Sequence, residues 1–243
     1  MNEILGHRAK MGVIIPTVNT VTEPEFNAMK PPGVTVHFTR MPIHFHPEED
    51  DYRGLMDDLQ IRLDEFNLFG ANIVAYNCTV GSMACPPDML INKLENSTGA
   101  AGVATAGSVV LALKTLGAEK ISMATPYPDA VNEHEKEFLA GHGIDVLKMA
   151  GIEFGMPEPE RGRMFARVPP DQAFDHALSV DHPNAQALFL SCANFHTAGI
   201  VQRLEDKIGK PVVTSNISTF WAALRKAGIT DPIEGYGTLL REH

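Results

Sequence analysis

Short apolar segments rich in β-branched residues alternate with helix-like segments along almost the whole chain. Strands that alternate with helices form parallel sheets, and helices cover both faces of such sheets. We therefore predict an α/β fold. The predicted strands are residues 11–16, 34–41, 72–78, 121–126, 144–152, 185–192 and 211–216. The predicted helices are residues 54–70, 106–118, 128–143, 171–180, 197–209 and 215–229.

The two halves of the chain share one pattern. Each half opens with an apolar strand that ends in Pro and a polar residue, as GVIIPT (12–17) and SMATPY (122–127), and each continues to a strand that ends in Cys. Ligands of parallel sheets bind beyond the carboxyl ends of the strands. Two similar halves placed face to face would therefore bring four strand ends to one cleft, and 243 residues suffice for one or two domains.

Charge and composition exclude several classes of protein. The formal net charge is -10, whereas nucleic-acid binding needs a basic surface. The apolar segments are shorter than the roughly 18 residues needed to cross a membrane. Residues 1–16 do not resemble a secretory signal, and the 3 cysteines do not make a disulfide framework. We expect a cytoplasmic protein with neither nucleic acid nor a membrane as partner.

Two of the cysteines, Cys78 and Cys192, each end a predicted strand. Small and polar residues follow each thiol, at 79–82 and 193–197, and converging backbone N–H groups of such turns bind anions and lower the pKa of a thiol. A lone cysteine at a strand end is more often a buried structural residue, and we interpret Cys85 in that way. Because the pattern occurs in both halves, we predict that the two thiols face one substrate.

A metal site is the main rival use of these residues. His44 and His46 lie two positions apart beside acidic residues, but the adjoining Pro and acid run favour a solvated loop. His196 either assists Cys192 or lies on the surface, and the sequence favours neither. The chain also lacks a glycine-rich nucleotide loop. We expect neither a metal nor a cofactor.

One polar residue of interest follows the first strand in each half. Asn19 can hold a carboxylate oxygen with its side-chain amide, and Tyr127 can donate its hydroxyl to an oxyanion. The alternatives are a turn-forming Asn and a buried structural Tyr. The irregular segment 153–170, rich in Pro and Gly, is predicted to be a loop or lid.

Several of these segments, in this order, resemble the maleate cis-trans isomerase and arylmalonate decarboxylase group of the aspartate/glutamate racemase superfamily. They are IIPTVNTVTEPEF, YNCTVGS, ATPYPDAVNE, FLSCANFHT, PVVTSNISTFWAALRKAG and GYGTLL. The resemblance implies two Rossmann-like domains with pseudo-twofold symmetry and a cofactor-free active site between them. We expect residues 1–103 with 211–243 to form the first domain and residues 104–210 the second.

The resemblance also implies roles for particular residues. Cys78 and Cys192 are similar to the two catalytic cysteines, and both are kept in isomerases and racemases of the group, whereas arylmalonate decarboxylases keep the second alone. The residues expected to bind substrate are Asn19, Thr79, Val80, Gly81, Ser82, Tyr127, Ala193 and Asn194.

The chain departs from the group at two places. Val80 stands where isomerases usually have Ser, and the segment 153–170 lacks the Asn that they place there. We expect Arg161 or Arg163 to hold the distal carboxylate instead. The alternative is that these arginines and Arg167 pair with Glu158, Glu160 or other surface acids.

These observations predict a cofactor-independent two-cysteine isomerase that acts on a small carboxylic or dicarboxylic acid through a thiolate adduct. A racemase that uses the two thiols as opposed bases and an arylmalonate-type decarboxylase remain open, as does a protein that binds a small anion without reacting. We also expect the chain to form a homo-oligomer.

Overall fold

The computed structural model describes residues 4–44, 46–157 and 160–243. Within these residues the predicted α/β fold is confirmed: two four-stranded, fully parallel sheets are flanked by helices. The strand order is β2-β1-β3-β4 in one sheet and β6-β5-β7-β8 in the other. The two orders correspond strand by strand, as the repeated pattern in the sequence predicts.

The first sheet consists of β1 (Ala9–Pro16), β2 (Val34–Met41), β3 (Ile73–Tyr76) and β4 (Ala101–Ala104). The helices of this half are α1 (Thr22–Met29), α2 (Arg53–Phe69), α3 (Thr79–Met83), α4 (Pro87–Thr98) and α5 (Thr105–Thr115).

The second sheet consists of β5 (Lys120–Thr125), β6 (Asp145–Gly151), β7 (Ala187–Leu190) and β8 (Val212–Thr214). Its helices are α6 (Asp129–Gly141), α7 (Glu160–Met164), α8 (Pro170–Ser179), α9 (Val201–Ile208), α10 (Ser215–Lys226) and α11 (Thr238–Glu242). Short 3₁₀ turns occupy residues 47–50, 165–167 and 198–200.

The two halves pack through α10, which follows the last strand of the second sheet and lies against α5, β3 and β4. The ring of Phe220 on α10 is 4.9 Å from that of Phe26 on α1. Both rings are fully buried and belong to a core that also contains Ile15 and Ile121 from the two sheets. Since burial of apolar area stabilises such contacts by about 25 cal/mol per Å², this shared core fixes the two sheets relative to each other.

The domain boundaries drawn from the sequence remain a prediction. The strand Val212–Thr214, which they assign to the first domain, pairs with β7 in the second sheet. Residues 215–226 then turn back as α10 onto the first half. The chain therefore crosses between the halves immediately after β8.

Some local predictions are corrected. Segment 153–170 is not wholly irregular, because it contains α7 and a 3₁₀ turn at 165–167. Helix α4 was missed because two consecutive prolines open it, although a proline fits the first turn of a helix. In the described part of the chain, no helix is both long and apolar enough to cross a bilayer.

Candidate active site

Cys78 and Cys192 line one cavity of about 410 Å³ between the two halves. Cys78 lies between β3 and α3, and Cys192 follows β7, the equivalent strand of the second sheet. Both residues are 6% exposed. The structure therefore brings the two predicted thiols to the same cavity at the carboxyl ends of the strands.

The Cys78 thiol is held by the turn that follows it. Its Sγ accepts the backbone N–H of Gly81 at 3.3 Å. A Cβ at Gly81 would lie 2.5 Å from Tyr76 Oη and 3.1 Å from Cys78 Sγ, so a side chain there would displace the Tyr76 hydroxyl. Burial raises the pKa of Cys78 to about 11, and the Gly81 N–H offsets this only in part. The expected lowering of the pKa is wrong, because loss of hydration outweighs one N–H donor.

Cys192 has a different environment. Its backbone φ is 98°, a strained conformation for a residue with a side chain. Its Sγ accepts the backbone N–H of Asn194 at 3.3 Å and a hydrogen bond from the Tyr127 hydroxyl. Burial is the main reason that the pKa of Cys192 is raised to about 12, with smaller upward contributions from the nearby Cys78 and Glu135.

Glu135 on α6 is a buried acid next to this second thiol. Its Oε1 accepts the Ser191 hydroxyl at 2.7 Å, whereas its Oε2 is buried without a hydrogen-bond partner in the described chain. Burial raises the pKa of Glu135 to about 7. Glu135 acts on the pKa values of Cys192 and Tyr127, so the two thiols lie in unequal electrostatic surroundings.

Ser215 and Asn216, which start α10, each contact the segments of both cysteines. Ser215 Oγ accepts the backbone N–H of Cys192 at 3.0 Å and the hydroxyl of Thr79 at 2.9 Å. Asn216 accepts from the Asn77 amide at 2.9 Å. The Nδ2 group of Asn216 donates to Ala193 O at 3.1 Å and to the buried Glu25 carboxylate at 2.6 Å.

These buried hydrogen bonds fix the residues on either side of Cys78, Asn77 and Thr79, relative to Cys192 and Ala193. The sequence interpretation missed Ser215 and Asn216 because it assigned residues 211–216 to a strand. The available signal was the polar pair at the end of PVVTSN, placed as the cysteines are at their own strand ends.

Asn19 and Asn194 both line the cavity, but their amides are bonded within the protein. Asn19 Nδ2 donates to Thr22 Oγ1 at 2.9 Å and to Ala193 O at 3.1 Å. Asn194 Nδ2 donates to Gly162 O at 3.0 Å. Both amides therefore position neighbouring backbone, and their predicted contact with substrate remains a prediction.

Of the four residues that follow Cys78, two line the cavity and two are buried away from it. Thr79 and Val80 line the cavity, whereas Gly81 and Ser82 are buried behind it. The Ser82 hydroxyl donates to Thr79 O at 2.9 Å and accepts the N–H of Ala106 at 2.9 Å. The Ser82 hydroxyl therefore already has two partners within the protein, one of them at the start of α5. A role of Ser82 in binding substrate stays a prediction.

Tyr127 and Ala193 line the cavity in the second half. Tyr127 is buried, and its ring packs edge-on against Phe165 with 5.6 Å between centroids. Ala193 contributes its carbonyl to the amides of Asn19 and Asn216.

The three arginines of segment 153–170 differ in their position relative to the cavity. Arg161 lines the cavity, whereas Arg163, on the same helix α7, and Arg167 are exposed. The structure thus selects Arg161 of the two predicted alternatives as the one near the thiols. Glu158, offered as a surface partner for these arginines, lies outside the described residues.

The two histidines considered as metal ligands, His44 and His46, contact different acidic residues. His44 Nε2 contacts Asp58 Oδ2 at 2.8 Å, and His46 Nδ1 contacts Glu48 Oε1 at 3.5 Å, so the two side chains face different carboxylates. No group of three His, Cys, Asp or Glu residues in the described chain is arranged to hold a metal ion. His196 is exposed and Cys85 is buried in the core of the first half, and neither lines the cavity.

Other cavity residues were not predicted. They are mainly apolar or lie in loops, and a sequence pattern marks such residues only as core or turn. They are Pro16, Thr17, Val18, Ile43, Pro128, Val131, Gly162 and Phe165.

The raised pKa values predict how the ligand-free thiols react. A thiolate, not a thiol, attacks an alkylating reagent. At pH values below about 11 for Cys78 and about 12 for Cys192 the thiolate fraction of each grows with pH. We expect the iodoacetamide reaction rate to rise about 10-fold per pH unit from pH 7 to 9. Peptide mapping separates each site from Cys85, and a plateau near pH 8 would contradict the effect of burial.

Comparisons with known proteins agree with this architecture. The family model described as arylmalonate decarboxylase matches residues 11–240. A maleate isomerase of Alcaligenes faecalis is 26% identical over 250 residues, covering 95% of this chain and 96% of that protein. An arylmalonate decarboxylase of Bordetella bronchiseptica is 29% identical over 157 residues, or 61% of each chain.

A solved structure has the same fold. The Nocardia farcinica maleate cis-trans isomerase, in a cysteine-to-serine mutant with a covalently bound succinylcysteine intermediate, superposes with a TM-score of 0.83. Its sequence identity is 20%, with 97% of this chain and 99% of that chain covered.

Proposed function

The chain belongs to the arylmalonate decarboxylase family, and on this premise we propose that it is a cofactor-independent two-cysteine isomerase. Its substrate is a small dicarboxylic acid of the maleate type, and the reaction is cis-trans isomerisation through a thiolate adduct. The observation that supports this proposal best is the pair of buried thiols, Cys78 and Cys192, on one cavity. The similarity to maleate isomerases over nearly the whole chain supports the same reaction.

The chemistry follows from what isomerisation requires. The Cys78 thiolate forms a bond to one alkene carbon, and the π electrons of the alkene move to the neighbouring carbon, which takes the proton from the Cys192 thiol. The former double bond is now single and rotates. Cys192, now a thiolate, removes a proton from that carbon, and the Cys78–carbon bond breaks to give the trans acid. The succinylcysteine intermediate of the Nocardia farcinica enzyme is an adduct of this kind.

The surroundings of the thiols support this division of roles. Glu135 and Cys78 both raise the pKa of Cys192 and so favour the protonated thiol needed for proton donation. Among the described residues, no acidic side chain raises the pKa of Cys78, for which burial is the main cause. Catalytic pairs of like groups commonly work because their environments separate their pKa values.

NMR of substrate mixtures in heavy water tests the proposal against its alternatives. We expect maleate-type acids to convert to their trans isomers. Deuterium exchange at the α carbon of amino acids or hydroxy acids, without isomerisation, would instead identify a racemase. Loss of carbon dioxide from aryl malonates would identify a decarboxylase, for which the similarity to the Bordetella bronchiseptica enzyme is the specific support.

Arg161→Gln should weaken binding of the dicarboxylate. A guanidinium donates charge-assisted hydrogen bonds to a carboxylate, and such bonds contribute about 1.5–3 kcal/mol. We expect KM to rise by about 10- to 150-fold with little change in kcat. Arg163→Gln is the matched control, since Arg163 is exposed on the same helix and does not line the cavity. Equal KM values for both variants would show that the distal carboxylate is held elsewhere.

The proposal also includes the surroundings in which the enzyme works. We assign it to the cytoplasm, as a homo-oligomer that needs no metal or cofactor. Retention of full activity after chelation and desalting, together with the mass of the assembly in solution, would test these assignments.

A further inference from the structure

Outside the two cysteines and the polar residues described above, the cavity wall is largely apolar. It is formed by Val18, Ile43, Val80, Pro128, Val131 and Phe165. These side chains come from loops and helices of both halves. They offer no hydrogen bonds to a second carboxylate or to ordered water.

A segment of the second half borders the cavity. On α7, the carbonyl of the buried Gly162 accepts from Asn194 Nδ2 at 3.0 Å. Beyond that helix, Phe165 is 8% exposed and packs against Tyr127. The segment that carries Arg161 is therefore held against the cavity, whose volume is about 410 Å³.

This volume exceeds what a four-carbon diacid requires. Cavities of about 300–1,000 Å³ take ligands as large as drug molecules. Maleate would leave the rest of the space to water against apolar walls, where water finds too few polar partners. An apolar group on the substrate would fill that space and remove the same walls from water.

A further group of apolar side chains lies beside Arg161. A second cavity of about 340 Å³ shares Pro128 and Arg161 with the first. Ile152, Phe154 and Met156 also line it. Glu153 lines it as well, so a mostly apolar surface continues beside Arg161.

The number of basic side chains on the cavity also favours a substrate with a large apolar part. Within the described chain, Arg161 is the single Lys, Arg or His side chain on the main cavity. One guanidinium matches one carboxylate, whereas most of the remaining wall matches hydrocarbon.

We infer that the substrate is a maleate-type diacid that carries a ring-sized apolar substituent on its alkene, and this inference rests on the proposed function. Cys78 then adds to the unsubstituted alkene carbon. The negative charge develops on the substituted carbon, where an aryl group delocalises it, and that carbon takes the Cys192 proton. The apolar walls bind the substituent.

Calorimetry with unreactive saturated analogues tests the substrate class without turnover. We expect one enantiomer of phenylsuccinate to bind at least about 10-fold more tightly than succinate, through the apolar area it buries. Val131→Thr adds a hydroxyl to the wall at nearly constant volume. It should weaken phenylsuccinate binding several-fold and leave succinate binding within about twofold. Val146→Thr, on β6 and away from the cavity, is the matched control.

NMR assays of maleate and 2-phenylmaleate complete the test. Faster isomerisation of phenylmaleate, with the tighter binding of phenylsuccinate, supports the inference. Tighter binding of succinate with faster turnover of maleate overturns the inference and leaves the proposed isomerase standing. If neither alkene isomerises, the proposed function is wrong and the inferred substrate falls with it.

Discussion

Cys78→Ala should abolish isomerisation of the true substrate. The reaction requires a covalent bond between the enzyme and an alkene carbon, and an alanine methyl group cannot form it. The hydroxyl groups on the cavity are poorly suited as replacement nucleophiles. The Thr79 hydroxyl donates to Ser215 at 2.9 Å, and a hydroxyl with its ordinary pKa is a weak nucleophile.

The measurement is conversion of the cis acid followed by NMR, with substrate binding measured in parallel by calorimetry. Cys85→Ala is the matched control, because Cys85 is also a buried cysteine of the first half but lies away from the cavity. We expect the control to keep its activity. Retention of most activity by Cys78→Ala would show that the nucleophile assignment is wrong.

Cys192→Ser is the second large effect that we expect. A serine hydroxyl keeps the size of the side chain but is a far weaker acid than a thiol, so proton donation to the adduct becomes slow. Loss of a general acid or base reduces turnover by about 10²- to 10⁴-fold. Binding should change little, because the carboxylate anchors remain in place.

This variant also makes a prediction about the intermediate. If proton transfer limits the reaction, species covalently attached to Cys78 should accumulate and be detected by mass spectrometry of the intact protein. Cys85→Ser serves as the control for the same substitution at a buried site. Loss of activity in Cys192→Ser with full activity in Cys78→Ala would contradict the adduct mechanism and point to a reaction that uses Cys192 alone.

The sequence predicted the architecture because the pattern that encodes it is local. Each buried strand is a short apolar run, and each flanking helix repeats its apolar residues every three or four positions. The repeated pattern also identifies equivalent strands, and it alone predicts that Cys78 and Cys192 lie at the ends of β3 and β7. Parallel strands align their carboxyl ends, and two such ends therefore meet in one cleft.

The ends of elements and the shortest elements were harder to predict from the sequence. The strand β4, AGVA, has small residues and little β propensity, and its place is decided by pairing with β3. The helix α7 lies in a segment whose Pro and Gly content predicts a loop. The crossing of the chain at Ser215 depends on how α10 packs on the first half, which no local pattern records.

Three properties of the site were decided by the tertiary structure alone. Burial raised the thiol pKa values that the turn sequences predicted to be low, because desolvation depends on the surrounding packing. Of two arginines two positions apart, the helical turn of α7 directs Arg161 to the cavity and Arg163 to solvent. The amides expected to contact substrate are bonded within the protein.

The sequence by itself therefore determined the α/β fold and the strand-end positions of the two thiols, since strand periodicity and the strand-end position of a thiol are encoded within a few neighbouring residues. The walls of the cavity, the partners of Glu135 and the bridging bonds of Asn216 join residues that are far apart in the chain. Such contacts depend on the packing of both halves, and only the tertiary structure decided them.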